Sequence, residues 1–283
     1  KLIMQKNYAY LAALAYATAS YSIFFMGSYL KESIMSFILI ATMFYLYRYW
    51  EDHRPRYIVA GVITSLLLLL FRVPVALFVW AAYGSLLVLN NKGKVRMIMV
   101  VIVGIIIVIA ALGLILDSAT RYANDGNMSE SYNYLTYSQS QKLVLYISAL
   151  IGPFPQLLQA GYILTEKSLY GAGLLFKLII AYPFWRGCVL CIKTKDVRLN
   201  PILTFTILEM MALGLVLDSL ELRKAMPHVP FFILAAFWYM SQFDENADDE
   251  VCVTPYYKRV KIEYIIWIAF VFMIGLVWNM FRK

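Results

Sequence analysis

Met97-Ile-Met-Val-Val-Ile-Val-Gly-Ile-Ile-Ile-Val-Ile-Ala-Ala-Leu-Gly-Leu-Ile-Leu116 contains no charged or polar side chain. It matches the roughly 20 apolar residues that an α-helix needs to cross a bilayer. The rest of the chain has the same character. Of its 283 residues, 62% are hydrophobic and only 15% are charged, whereas an ordinary soluble domain has about 25% charged residues. A surface so poor in charge excludes a soluble enzyme, a disordered chain and a secreted disulfide scaffold. The net charge of +8 sits in short clusters between apolar runs, as in cytoplasmic loops, so nucleic acid is not an expected partner.

Further apolar runs lie at 7–27, 33–50, 57–72, 73–90, 168–190, 201–217, 227–241 and 263–281. The expected fold is therefore all-α, a polytopic transmembrane helix bundle of about nine spans. Residues 1–283 form one integral membrane domain. The chain starts at Lys1 without an initiator Met and reads as the C-terminal part of a longer chain. A tenth apolar stretch, 143–160, is broken by Gly152-Pro153-Phe154-Pro155. Two prolines so close remove two amide donors and force extended or turn geometry. The stretch reads as a re-entrant or interfacial segment, which is tolerated only against protein or water.

Four basic connectors set the orientation: Arg48 to Arg56, Lys92 to Arg96, Lys193 to Arg198 and Lys258 to Lys261. Placing all four in the cytoplasm requires an even number of crossings between each pair. The polar features at 28–33, Arg72, 117–142, Pro153/Pro155 and 218–230 then share the extracytoplasmic side.

Arg72 closes the run Leu66 to Phe71 and precedes Val73-Pro74. It reads either as an arginine snorkelling to the interface or as a phosphate clamp, because a guanidinium matches phosphate oxygens in bidentate fashion. Lys31-Glu32 reads as a polar hinge, with Glu32 favoured in a first helical turn. The segment 218–230 gathers Asp218, Glu221, Arg223, Lys224 and His228, which is either a solvated loop or a site for a diphosphate with a titratable histidine. Asp117 opens a long loop, 117–142, rich in tyrosine. Lys177 and Glu209 fall inside expected spans, either as buried functional charges or as residues near an interface. Cys188-Val-Leu-Cys191 has no second ligand pair, so no metal site is expected. No Walker loop, nucleophile elbow or dinucleotide fingerprint is present.

In order along the chain come Gly27-Ser-Tyr-Leu-Lys-Glu-Ser-Ile34, a basic loop, Phe71-Arg-Val-Pro74, Gly152-Pro-Phe-Pro155 and Arg223-Lys-Ala-Met-Pro-His-Val-Pro230. This order resembles multi-span lipid-linked-sugar glycosyltransferases of the GT-C type and Wzy-like O-antigen or capsule polymerases. It departs from their arginine–proline step, because Val73 separates Arg72 from Pro74. The resemblance covers roughly residues 27–240 through short elements.

It implies sugar transfer from a polyprenyl phosphate or diphosphate carrier on the extracytoplasmic face of a bacterial inner membrane. The implied partners are that carrier and membrane lipids. Lys31, Arg72, Arg223 and Lys224 would then hold the carrier phosphate. Glu32, Asp117, Asp218 and His228 would be the catalytic candidates. The family's acidic base on an early outer loop has no counterpart here and is expected ahead of Lys1. No cofactor is implied, and a divalent cation stays open. Two other readings use the same charges: a transporter or flippase for a lipid-linked sugar or anionic solute, and a non-catalytic subunit of an envelope-assembly complex.

Overall fold

The computed structural model describes residues 3–19, 31–90, 92–124, 168–216, 227–244 and 254–281. Among them the α-helices are α1 (Lys6–Thr18), α2 (Lys31–Asp52), α3 (Pro55–Phe71), α4 (Val73–Asn90), α5 (Gly93–Asn124), α6 (Ser168–Thr194), α7 (Asn200–Val216), α8 (Val229–Ser241) and α9 (Thr254–Phe281), with a 3-10 turn at Val197–Leu199 before α7. The described residues contain no strand, so the fold is all-α. The stretch 143–160 lies outside them.

In α5, the 18-residue window Gly93–Ala110 is long and apolar enough to cross a membrane, and only 6% of it is buried by the rest of the protein. Pro55–Phe71, Val73–Val88 and Val229–Ser241 are apolar but shorter. The 17 residues of α3 span about 26 Å, a little under the roughly 30 Å hydrocarbon core.

The break between α3 and α4 has a local cause. Pro74 lacks an N–H and would clash with the carbonyl of residue 70 if α3 continued, whereas the first turn of a new helix accommodates it. Arg72 is extended, with φ −162° and ψ 103°. Its N–H bonds the carbonyl of Leu68 at 2.9 Å, and its own carbonyl accepts from Val75 at 3.1 Å. One residue thus caps both helices.

In the bundle, α2 packs on α3, α4 packs on α3 and α5, and α7 packs on α4, α5 and α8. Helix α8 also meets α6 and α1. It is the central helix, buried on nearly every face from Phe231 to Met240, which is why it is apolar all round. Phe232 stacks on Phe184 of α6 at 4.1 Å. Gly187 lets these two helices close, because a Cβ there would lie 3.2 Å from the carbonyl oxygen of Ala235.

Specific bonds collect several chain segments at one end. The Tyr47 hydroxyl donates to the carbonyl of Arg198. The Tyr8 hydroxyl donates to Asp244 at 3.2 Å. Arg259 lies over the Phe243 ring at 5.4 Å. The starts of α1 and α9, the ends of α2 and α8, and the 3-10 turn therefore lie together. This end holds three of the four basic clusters.

Three helices differ from the sequence expectation, the first being α1, which ends at Thr18 with Ala19 extended and does not run on to 27. Helix α5 runs on from Leu116 to Asn124, so Asp117 is helical and does not open a loop. No Pro or Gly interrupts residues 117–124, and nothing forces the helix to stop where the apolar run does. Helix α9 begins at Thr254 instead of 263. Its first turns carry Lys258, Arg259 and Lys261 outward while Tyr256 and Val260 are buried, an amphipathic start that an apolar-run criterion passes over.

Much apolar surface is left uncovered. Val100, Val101, Ile105, Val108 and Ile109 of α5 are exposed, as are Ile262, Ile265 and Ile266 of α9. Patches of this extent mark contact with a membrane or another protein.

Candidate functional site

Arg72 sits where α3 gives way to α4, at a joint that leaves its side chain free of either helix ladder. It meets Glu209 of α7, with Nη1 3.5 Å from Oε1. The two side chains differ in burial, with Arg72 27% exposed and Glu209 2% exposed. Oε1 of Glu209 has no hydrogen-bond partner, so the contact is an ion pair without hydrogen-bond geometry. A buried carboxylate held this loosely is unusual, because charge taken out of water normally requires tight, well-satisfied pairing.

Helix packing explains why the two residues meet. Helices α4 and α7 lie side by side, and the Thr204 hydroxyl donates to Ser85 Oγ at 3.4 Å. From that contact, Arg72 lies about 20 Å back along α4 and Glu209 about 8 Å on along α7. Arg72 therefore points towards a protein carboxylate.

His228 caps the start of α8. Phe205 meets Phe231 with ring centroids 5.4 Å apart. Glu209 is about one turn beyond Phe205, and His228 about one turn before Phe231, so the antiparallel pair of helices brings both to a similar level. His228 is fully buried. Its carbonyl accepts from Phe231 at 3.1 Å and Phe232 at 2.9 Å, and its ring lies against Phe232 at 6.4 Å. It is a buried histidine at a helix start, so of the two readings of 218–230 the solvated loop does not describe His228.

The other candidates are placed more coarsely. Lys31 and Glu32 are the first two residues of α2 and Asp117 lies in the last third of α5, with side chains outside the described structure. Asp218, Arg223 and Lys224 lie outside the described residues altogether. Among the described residues, no group of three metal-capable side chains gathers. Cys188 and Cys191 are buried free thiols, and the Cys191 thiol donates to the carbonyl of Asp196 at 3.2 Å.

An apolar cavity of about 230 Å³ lies between α3, α4 and α5, lined among others by Val62, Ser65, Trp80, Gly84, Ile102 and Val103. It begins about 10 Å along α3 from Arg72 and offers hydrocarbon contact with little polar lining.

The sequence marked Arg72 and Glu209 separately and did not pair them. The available signal was that each is a lone charge within an apolar run, and such charges are normally matched by a counter-charge. Which of the distant opposite charges supplies the match depends on helix packing, which no local pattern encodes. No family model matches the chain, and no match was found among curated proteins or solved structures.

Proposed function

We propose that this chain is a multi-pass protein of a bacterial inner membrane, a bundle of about nine spans with a re-entrant segment at 143–160. In this reading it transfers or polymerises sugars from a polyprenyl phosphate or diphosphate carrier on the extracytoplasmic side. The observation that carries the proposal is the Arg72–Glu209 pair, a loosely held ion pair beside a one-residue break between two apolar helices. Nη1 of Arg72 faces Glu209, and the rest of the guanidinium fork is available to phosphate oxygens. A lipid diphosphate leaving group gains charge as the sugar departs, and a preorganised guanidinium stabilises that charge. The apolar cavity between α3, α4 and α5 suits part of an isoprenyl tail.

The acceptor hydroxyl needs a base within hydrogen-bond reach. Glu32, Asp117 and Asp218 keep that role in the proposal. The burial of His228 favours a positioning role at this end over proton transfer. Lys31, Arg223 and Lys224 are proposed as additional phosphate contacts.

A transporter reading gains from one specific observation. Glu209 is a nearly fully buried carboxylate well inside α7, and such residues mark substrate or ion pathways. Proteoliposomes of the full chain loaded with a polyprenyl-diphosphate sugar separate the two readings. Transfer predicts consumption of the lipid-linked sugar, with product absent in Arg72→Ala. Movement of the unchanged lipid between leaflets identifies a flippase. Wild-type product from folded Arg72→Ala protein overturns the assignment of this site.

A further inference from the structure

At the opposite end from Arg72, helices α6, α8 and α9 enclose an open cavity of about 370 Å³. Arg186, Lys193 and Arg259 line it, against the single carboxylate of Glu263. The cations come from two helices and are held in different ways. Arg186 pairs with Glu263 at 3.4 Å and donates from Nε to the Tyr239 hydroxyl at 3.4 Å. Glu263 also accepts from the Tyr182 hydroxyl. The one carboxylate is thus engaged on the Arg186 side of the cavity. Arg259 rests over the Phe243 ring, which orients the guanidinium and leaves its charge in place. Lys193 is exposed.

The surroundings of the cavity identify the kind of anion. Along α9, Arg259 and Glu263 are followed on the same face by Ile266 and Phe270, at helical spacing, and both are exposed. On α6 the exposed Val189 lies between Arg186 and Lys193, in the lining itself. A cationic pocket therefore opens directly onto an uncovered apolar strip. A free phosphate would use only the first of these features, whereas an anionic phospholipid uses both.

We infer that this cavity is a binding site for the phosphate headgroup of an anionic membrane lipid, with the acyl chains lying along the Ile266–Phe270 face of α9. The inference is separate from the sugar-transfer reading. It rests only on that reading's placement of the chain in a membrane, with the basic connectors on the cytoplasmic side. Basic pockets between helices on that side are suited to such headgroups.

The test is native mass spectrometry of the full chain in neutral detergent with added phosphatidylglycerol or phosphatidylcholine. The wild type is expected to retain phosphatidylglycerol in preference. Each cation near the headgroup contributes about fivefold, so Lys193→Gln/Arg259→Gln is expected to lower that preference about thirtyfold. Neither substitution touches the Arg186–Glu263–Tyr182 bonds. The control Lys92→Gln/Lys94→Gln, at another basic connector, is expected to keep the preference. Equal retention of the two lipids by the wild type, or an unchanged preference in the Lys193/Arg259 variant, overturns the proposal. Displacement of phosphatidylglycerol by millimolar inorganic phosphate would assign the pocket to a soluble phosphate and overturn the lipid assignment. Sugar transfer, measured on the same preparations, can fail without affecting any of these outcomes.

Discussion

Two ion pairs in this protein have nearly the same separation and very different settings. Arg72 and Glu209 are 3.5 Å apart, with the carboxylate 2% exposed. Arg186 and Glu263 are 3.4 Å apart, with both side chains about half exposed, at 46% and 49%. Distance therefore says little about what each pair does. Around Arg186 and Glu263, water screens the charges and nearby hydroxyls share them, so the pair contributes little to stability. Glu209 is buried, so the Coulomb attraction is stronger and the desolvation cost can exceed it. A pair that is expensive to bury and loosely bonded once buried is poorly explained by stability alone.

The largest effect is expected from Arg72→Ala. It strands Glu209 in the interior and should lower stability by about 3–5 kcal/mol, read as thermal unfolding in detergent, with loss of product. Replacing both partners, as Arg72→Met/Glu209→Met, removes the stranded charge. The double variant should recover most of that stability and still form no product. If product returns with stability, the pair is structural and the contrast between the two ends collapses.

Glu209→Gln should be milder than Arg72→Ala, at about 1–3 kcal/mol, because Arg72 still reaches solvent when its partner is neutral. A reversed order would mean that Arg72 is the more deeply buried of the two. Glu263→Gln at the other end should cost less than about 1 kcal/mol, and raising the salt should shrink the difference further. A loss as large as that of Glu209→Gln would make the two ends alike.

The all-helical character of the fold was legible because long apolar runs and proline placement leave strong local signals. The α3–α4 joint falls at Arg72, where the apolar run and Pro74 both put it. The starts of α9 and the end of α5 were harder to read, since both continue as helix into polar sequence. For α9 the buried Tyr256 and Val260, at i and i+4, were the readable sign. Of the candidate site, Arg72 was legible as a charge at the edge of an apolar run. Its pairing with Glu209 was not, and neither was the burial of His228, because both are set by how α7 and α8 pack. The cation-lined cavity was hidden for the same reason, since its members lie on helices far apart in the chain.

The single-residue joint at Arg72 also bears on the order of assembly. A chain is made from its N-terminus, so α3, Arg72 and α4 exist as a hairpin well before Glu209 is synthesised. The joint has no slack, and the guanidinium must accompany the hairpin wherever it goes. During that interval its charge has no Glu209 to meet. The ion pair can close only when α7 arrives, which makes the docking of α7 the step that settles the charge of Arg72.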